Sequence, residues 1–217
     1  MQEGEFILHG YFRSSAAYRV RIALNLKGLT YQGVAHHLRR GEQYAAAYRS
    51  LNPQGLVPTL EVNGLALTQS LAIIEYLEER YPEPALLPKT PESRARVRSL
   101  AQITACDIHP LNNLRVLNYL RQGLEHTEDV IQAWYAHWVV EGFDAIERFL
   151  CESPDTGLFC HGDSPTVADV CLVPQVANAR NFKLDLSQFP TIQRIDAIAS
   201  TLPAFRKALP SNQPDAE

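Results

Sequence analysis

A cluster of four prolines within ten residues, from Pro82 to Pro91, divides the chain into two halves with different hydrophobic patterns. Proline lacks the backbone N–H that a helix needs, so a helix cannot continue through this segment. Before the cluster, apolar runs alternate with segments of helical spacing, and almost every segment after it has helical spacing. A length of 217 residues is enough for two domains. We therefore predict an α/β domain over residues 1–81, a linker over 82–91 and an all-helical domain over 92–217.

The first half consists of short predicted segments in a defined order. In chain order they are a strand over 6–12, a helix over 15–27, a strand over 30–38, a helix over 43–51, two strands over 57–62 and 65–68, and a helix over 70–81. Asn63 and Gly64 separate the paired strands, which is the spacing of a two-residue β-hairpin. The order β-α-β-α-β-β-α is the thioredoxin-like order with a four-stranded sheet. Beyond the linker, the predicted helices cover residues 92–123, 128–151, 166–182 and parts of 191–209.

A net charge of −4 argues against two classes of partner. Lys and Arg number 20 against 24 Asp and Glu, and no dense basic block is present to neutralise nucleic-acid phosphates. No apolar run approaches the roughly 18 residues that span a bilayer. The first residues lack the charged and apolar regions of a signal peptide. We therefore expect a cytoplasmic protein that binds neither nucleic acid nor membranes.

The four cysteines indicate neither a disulfide framework nor a metal site, because they form no C-x-x-C pair and no histidine lies at metal spacing. They are Cys106, Cys151, Cys160 and Cys171. A chain of this length buries a core without cross-links. We expect reduced and mostly buried thiols.

Ser14 and Ser15 stand where the first predicted strand turns into the first helix. A serine here can cap the helix, because its oxygen accepts a backbone N–H of the first turn, a contact worth about 1 kcal/mol. The same position can bind an anion, since free amides and the helix dipole favour negative charge and a hydroxyl can donate to it. Capping uses one serine and leaves the second spare, so both interpretations stay open.

Val57-Pro58 precedes the first strand of the hairpin. In this order of segments, a proline at that position suggests a cis peptide bond, although a trans proline is also permitted at the first residue of a strand. Val57 would then expose its backbone N–H and C=O to a bound peptide. Gln69 and Ser70 begin the next helix, so two helix starts can face one crevice and bind carboxylates. The chain has no Gly-rich loop of the kind that holds phosphates.

The helical half contains a structural motif and two arginines of interest. Thr166 to Asp169 fits a capping box before an apolar helix, which we interpret as structural. Arg115 and Arg180 each lie among apolar residues. For either arginine alone, a surface or ion-paired role is favoured over a functional one.

Several stretches of the chain resemble the zeta class of glutathione transferases, which includes maleylacetoacetate isomerase. They span nearly the whole sequence and comprise residues 14–24, 51–60, 69–77, 107–113, 168–179 and 213–215. The Val-Pro and Gln-Ser elements are shared by glutathione transferases in general. The serine-rich helix start followed by Arg-Val-Arg-Ile-Ala-Leu is far more specific. The resemblance implies a thioredoxin-like domain followed by an all-α domain, the glutathione transferase fold, and a homodimer.

The resemblance also implies roles for individual residues, with glutathione as the cofactor. Ser14 would activate the glutathione thiol, with Ser15 adjacent to it. The implied glutathione contacts are Ser14, Ser15, Gln43, the backbone of Val57, Gln69, Ser70, His109 and Asn113. The family pattern has a cysteine where this chain has Ala16, so no thiol is expected to contribute there.

The reaction that the resemblance implies is the cis–trans isomerisation of maleylacetoacetate or maleylpyruvate in aromatic amino-acid and aromatic-acid catabolism. A dicarboxylate substrate requires cationic groups, and we expect Arg13, Arg115 and Arg180 to supply them from opposite sides of a domain cleft. Arg13 is also a catalytic candidate because it directly precedes Ser14.

Two other functions are weighed against isomerisation. A transferase that conjugates or dehalogenates small electrophiles such as α-halo acids is the alternative enzyme. A non-enzymatic binding module is disfavoured, since it need not keep Ser14, Gln69-Ser70 and the candidate arginines together. A glutaredoxin-like redox role would require a cysteine near Ser14, and none is present.

Overall fold

The structure, a computed structural model, describes residues 5–217 and divides into two compact units. The first unit contains the residues up to Leu86 together with Ser200–Glu217, and the second contains Leu87–Ala199. The predicted domains differ from this division at one place, because the sequence prediction includes residues 200–217 in the helical domain. In the structure they group with the α/β unit.

The first unit is built on a four-stranded mixed sheet. Its strands are β1 (Ile7–Gly10), β2 (Gln32–Ala35), β3 (Thr59–Val62) and β4 (Leu65–Thr68). The order across the sheet is β2-β1-β3-β4, with β1 parallel to β2 and the other pairs antiparallel. The central strands β1 and β3 are mostly buried, whereas the edge strands β2 and β4 are more exposed. This is the four-stranded arrangement predicted from the order of segments.

Three helices follow strands of this sheet: α1 (Ser15–Leu26), α2 (Ala46–Leu51) and α3 (Ser70–Arg80). Helices α1 and α3 pack against each other, and their central apolar side chains are completely buried, as is Leu60 of β3. The predicted hairpin is also present, because β3 and β4 pair around Asn63 and Gly64. Both residues have positive φ, at 51° and 78°, as a tight hairpin turn matched to the strand twist requires.

The second unit contains six α-helices. They are α4 (Pro91–Gln102), α5 (His109–Asn112), α6 (Leu114–Asn118), α7 (Glu128–Cys151), α8 (Val167–Asn181) and α9 (Pro190–Ala199). The helical pattern predicted over 92–123 is present, but it is divided into α-helical and π-helical segments with a break at Asn113. A π-helical segment, Ile103–Ile108, follows α4, and the His109 amide donates to the Thr104 carbonyl five residues earlier. Asn113 then leaves helical geometry with ψ at 160° and begins α6.

The predicted capping box at the start of α8 is present. The Asp169 carboxylate accepts hydrogen bonds from the Thr166 amide at 2.7 Å, the Thr166 hydroxyl at 2.9 Å and the Cys160 amide at 2.8 Å. Asp169 is fully buried, and this burial raises the pKa of its carboxyl above the ordinary value. Three donors at one buried acid make it a structural anchor of the second unit.

The cysteines differ from expectation in their exposure. Cys160 and Cys171 are buried, but Cys106 and Cys151 are exposed, and all four are free thiols. Burial raises the pKa of the Cys160 thiol well above its usual range. Within residues 5–217 no helix is both long and apolar enough to cross a membrane.

Residues 200–217 return to the first unit through the last α-helix, α10 (Pro203–Ala208), which packs along α1. Asn25 of α1 donates its side-chain amide to the Ala204 carbonyl at 3.0 Å. Arg21 of α1 donates to the Ala208 carbonyl at 3.1 Å. These two hydrogen bonds and the packing of α10 on α1 hold the segment against the α/β unit. Both donors are polar side chains of α1.

Candidate active site

Ser14 lies at the N-terminus of α1 and caps it. Its hydroxyl oxygen accepts the Ala17 amide at 3.2 Å, and its carbonyl accepts the Tyr18 amide at 2.9 Å. A serine hydroxyl has one donor and two acceptor positions, so capping leaves its O–H free to donate outward. The amides of Ser15 and Ala16 have no carbonyl partner within the helix, because they lie in its first turn. Capping and anion binding are therefore compatible at this serine.

The start of α3 provides a second group of helix amides. No side chain caps this helix within the described residues, and Gln69, the residue before it, has a positive φ of 67°. A non-glycine residue in this region is strained and is typical of functional sites. Its exposed side chain donates to Gln54 Oε1 at 2.8 Å.

Ser70, the first residue of α3, is buried and contacts α1. Its hydroxyl oxygen accepts a hydrogen bond from Arg19 Nη1 at 3.3 Å. Arg19 lies one turn beyond Ser15 on the same helix and is itself 1% exposed. The two helix starts that the sequence predicts to face one crevice are therefore joined through a buried guanidinium.

The Val57-Pro58 peptide bond is cis, as predicted. Just before it, the Leu56 carbonyl accepts hydrogen bonds from the Tyr48 hydroxyl at 2.6 Å and the Asn52 side-chain amide at 2.7 Å. Within residues 5–217 the backbone N–H and C=O of Val57 have no hydrogen-bond partner. A peptide ligand could pair with both groups as an added strand does.

Gln43 is buried beside this loop region, in a short 3₁₀ turn, Glu42–Tyr44. Its side-chain nitrogen donates to the Leu38 carbonyl at 3.3 Å. Its side-chain oxygen is buried, and no partner for it is found among the described residues. Buried polar atoms normally have a partner, so this oxygen is suited to accept an N–H from a ligand.

The remaining candidate in the first unit, Arg13, is exposed in the turn before Ser14. The predicted candidates in the second unit are His109, Asn113, Arg115 and Arg180. His109 begins α5, and Asn113 caps α6 by accepting the Val116 amide at 3.0 Å. Arg115 is exposed in α6. The convergence of these residues with Arg13 on one substrate stays a prediction.

Arg180 forms an ion pair, which is one of the two roles that the sequence analysis favours for this arginine taken alone. Its Nη1 lies 2.5 Å from Asp196 Oδ2, and the Asp196 side chain is almost completely buried. The Arg180 side chain itself is half-exposed. Part of the guanidinium is therefore engaged by Asp196, and substrate binding by Arg180 stays a prediction.

Sequence reasoning missed a cluster of two histidines and a carboxylate on the sheet. His9 of β1 contacts His36 Nε2 at 2.9 Å and Glu61 Oε1 at 2.7 Å through its two ring nitrogens. Burial and the neighbouring His9 lower the pKa of His36. His9 and Glu61 are polar residues flanked by buried apolar residues, and they lie on two strands that pair. That pattern in the sequence could have indicated the contact. Among the described residues no cluster of histidine, cysteine and carboxylate side chains is arranged to hold a metal ion.

Comparison with known proteins identifies the family. The family model for the N-terminal domain of glutathione S-transferase matches residues 8–85. Maleylacetoacetate isomerase of Pseudomonas aeruginosa is 52% identical over 211 residues, which cover 96% of this chain and 97% of that protein. A holo structure of maleylpyruvate isomerase, described as a bacterial zeta-class glutathione S-transferase, matches with a TM-score of 0.96 at 49% identity. That match covers 97% of this chain and 100% of the other.

A further solved structure carries the ligand expected here. Maleylacetoacetate isomerase of Anaeromyxobacter dehalogenans, with glutathione bound in the active site, matches with a TM-score of 0.90 at 43% identity. The match covers 100% of both chains. The sheet order and the helical second unit, together with these matches, define a glutathione S-transferase and confirm the predicted fold class. Within that class, the chain belongs to the zeta-class family that includes the maleylacetoacetate and maleylpyruvate isomerases.

Proposed function

We propose that this protein is a glutathione-dependent cis–trans isomerase that acts on maleylacetoacetate or maleylpyruvate. The observation that carries the proposal is the 52% identity, over nearly the full length of both chains, to a relative named for the first of these activities. The cap geometry of Ser14 supports it, because the helix start leaves donors available to an anion. The product would be the corresponding fumaryl compound.

Glutathione fits the first unit as the cofactor. The Val57 backbone and the buried Gln43 side-chain oxygen have no hydrogen-bond partner within residues 5–217, and a peptide can pair with both. The amides at the start of α3, beside Gln69 and Ser70, suit a carboxylate of that peptide. Ser14 and Ser15 begin the other helix. In the second unit, His109 and Asn113 complete the proposed set of contacts.

Bound glutathione supplies a thiolate that adds reversibly to the substrate double bond, so that the bond can rotate before the thiolate leaves. The role of Ser14 is to hold that sulfur in its charged form by donating its O–H, while the amides of Ser15 and Ala16 add partial positive charge. A thiol has a reference pKa of about 8.5. Lowering it by one unit requires about 1.4 kcal/mol, which is within the range of one charge-assisted hydrogen bond.

The substrate carries two carboxylates, and negative charge develops on its carbonyl oxygen during the reaction. We propose that Arg13, Arg115 and Arg180 bind these groups, because a guanidinium offers paired donors that match carboxylate geometry. Arg13 is the candidate nearest in sequence to Ser14, which it directly precedes. The overall charge of −4 does not attract a dianion, so the attraction is local to these side chains.

We also propose that the protein works as a homodimer in the cytoplasm, which the family membership favours. Light scattering of the purified protein measures the dimer directly. A monomer at micromolar concentration would contradict this part of the proposal and leave the isomerase activity to be judged separately.

The proposed function is tested by incubating the protein with each cis substrate, with and without glutathione, and following the absorbance change of isomerisation. We expect a glutathione-dependent rate on at least one substrate, and a much slower rate for Ser14→Ala. No glutathione-dependent rate on either substrate would overturn the proposal. Halide release from α-halo acids under the same conditions, without isomerisation, would instead support the transferase alternative.

A further inference from the structure

The turn that carries Arg13 and Ser14 is held by side chains from distant parts of the chain. It runs from Tyr11 to Ser14, and its own hydrogen bond joins the Ser14 amide to the Tyr11 carbonyl at 2.9 Å. The Phe12 amide and the Phe12 carbonyl take no part in that bond, and the Tyr11 carbonyl accepts a second hydrogen bond besides it. Each of these three groups is paired with a charged side chain.

Arg21 of α1 pairs with the two carbonyls. Its guanidinium donates to the Phe12 carbonyl at 3.0 Å and the Tyr11 carbonyl at 3.4 Å, and its Nε donates to the Ala208 carbonyl at 3.1 Å. The residue is 4% exposed. Burial lowers the pKa of Arg21 to about 10, so it remains protonated at neutral pH. A single buried cation therefore connects the turn to α10.

Asp215 pairs with the amide. Its Oδ2 accepts the Phe12 N–H at 2.9 Å, although the two residues are 203 positions apart in the sequence. The charge of Asp215 also acts on the Arg21 guanidinium and opposes the lowering of its pKa by burial. The turn is thus held between a cation on one side and an anion on the other, and both contacts involve the segment 200–217.

We propose that Asp215 and Arg21 are positioning residues, which fix the Tyr11–Ser14 turn so that the Ser14 hydroxyl points at the glutathione sulfur. The inference rests on the proposed function for the identity of the ligand. Neither residue contacts the reacting atoms in this scheme, since both act on the backbone of Phe12. The segment 200–217 therefore contributes to catalysis from the unit that binds glutathione.

Asp215 is the residue to test first, because it is partly exposed near the end of the described chain and its replacement leaves the core intact. Asp215→Ala removes the acceptor for the Phe12 amide, whereas Asp215→Asn retains an acceptor oxygen and loses the charge. A matched control is Asp163, another carboxylate that accepts a backbone amide, that of Leu158 at 3.0 Å, within the second unit.

The decisive measurement is the thiol pKa of bound glutathione, read from thiolate absorbance in the binary complex. We expect Asp215→Ala to raise it and to lower kcat about tenfold with little change in substrate KM, the size of effect that small misplacement of a catalytic group produces. Asp215→Asn should change the thiol pKa and kcat less than Asp215→Ala does, and Asp163→Ala should change neither quantity. An unaltered thiol pKa in Asp215→Ala, or the same shift in Asp163→Ala, would overturn the inference.

Failure of the proposed function is distinguishable from failure of this inference. If the wild-type protein binds glutathione but isomerises neither substrate, the proposed reaction is wrong, and the thiol pKa still reports positioning. If glutathione does not bind, the positioning role is overturned together with the cofactor assignment. Arg21→Lys provides a second variant, because lysine keeps the charge but cannot donate to three carbonyls in the same geometry. It should also raise the thiol pKa; a folded Arg21→Lys variant with wild-type values would contradict the role of Arg21.

Discussion

Arg19 of α1 donates to the hydroxyl of Ser70 at the start of α3 across 3.3 Å, and this buried contact ties together the two helix N-termini of the first unit. Each helix start contributes amides that its own helix cannot satisfy. Their juxtaposition gives one unit of the protein a concentration of partial positive charge despite the net charge of −4.

Replacement of Ser14 should separate its capping role from its chemical role. Ser14→Ala removes both, so we expect a loss of stability of about 1 kcal/mol and a fall in kcat/KM of about a hundredfold or more. Ser14→Asn retains a good helix cap but has no hydroxyl, so stability should be kept while activity is lost. Urea unfolding and steady-state kinetics measure the two effects. Wild-type activity in Ser14→Asn would contradict the chemical role.

Removing the exposed arginines should weaken substrate binding. Arg13→Ala and Arg115→Ala each take away a carboxylate partner, and we expect KM for the dicarboxylate to rise about tenfold, with a smaller rise in the lysine variants. Arg148→Ala is the matched control, because Arg148 is exposed and pairs only with Glu152 one turn away among the described residues. An unchanged kcat/KM in Arg13→Ala would remove Arg13 from the proposed site.

The ion pair of Arg180 with Asp196 should make the stability of an Arg180 variant depend on pH. Burial raises the pKa of Asp196 above its ordinary value of 3.8, and the Arg180 charge opposes that rise. Without Arg180 the pKa of the folded state rises further. Because the folded-state pKa of Asp196 is raised, protonation of this carboxyl stabilises the folded protein. That contribution is fully present below pH 3.8 and is lost as the pH rises through the folded-state pKa.

Arg180→Ala should therefore lose about 1–2 kcal/mol at neutral pH, reduced because Arg180 is half-exposed, and lose less in mild acid. Urea unfolding at the two pH values measures the difference. In the double variant Arg180→Ala, Asp196→Asn, the difference between the stability losses at neutral pH and in mild acid should disappear. An equal loss for Arg180→Ala at both pH values would contradict this account.

Lys27 and Glu78 form a buried ion pair whose Nζ and Oε2 atoms are 2.5 Å apart. Lys27 also donates to the Pro84 carbonyl at 2.8 Å, and Glu78 accepts the Leu86 amide at 2.9 Å. Lys27→Met removes the Lys27 cation from beside a buried carboxylate, so we expect a loss of stability of about 3–5 kcal/mol. Adding Glu78→Gln should recover part of it. A double-mutant cycle by chemical denaturation measures the coupling, and purely additive losses would contradict it.

Ala16→Cys restores the residue that the family pattern has at this position. The proposed activation of glutathione uses the Ser14 hydroxyl and backbone amides, and no side chain at position 16. We therefore expect kcat/KM to remain within about threefold of wild type, which is under 1 kcal/mol. The new thiol should react readily with iodoacetamide, since a helix N-terminus lowers a cysteine pKa. Peptide mapping distinguishes it from the exposed Cys106 and Cys151. A large rise in isomerase rate would show that Ala16 limits this enzyme.

The fold was predictable where local signals agree with tertiary structure. Asn63-Gly64 defined the hairpin, and the alternation of segments defined the sheet. The helical pattern over 92–123 did not reveal its interruptions, because side-chain spacing does not encode the π-helical hydrogen bonds of Ile103–Ile108 or the extended backbone at Asn113. Residues 200–217 were misplaced because helical spacing shows that α10 is amphipathic but not which surface it packs against.

The site was predictable to the extent that its residues lie at helix starts. Ser14, Gln69 and Ser70 occupy such positions, which can be read from the order of segments. Arg21 and Asp215 could not be assigned, because Asp215 contacts Phe12 and Arg21 contacts Ala208 across large separations in sequence that no local pattern encodes. A buried arginine within an apolar helix was the available signal, and it indicated a partner without identifying it.

The membership of residues 200–217 in the first unit has a consequence for synthesis on the ribosome. The sheet and the Tyr11–Ser14 turn emerge early, but the whole second unit must be translated before α10 and Asp215 appear. At about 5–20 residues per second, the nascent α1 surface stays uncovered for on the order of ten seconds. A ribosome that stalls inside the second unit would thus hold a sheet with its serine in place and its turn unsecured, a state open to chaperones and proteases.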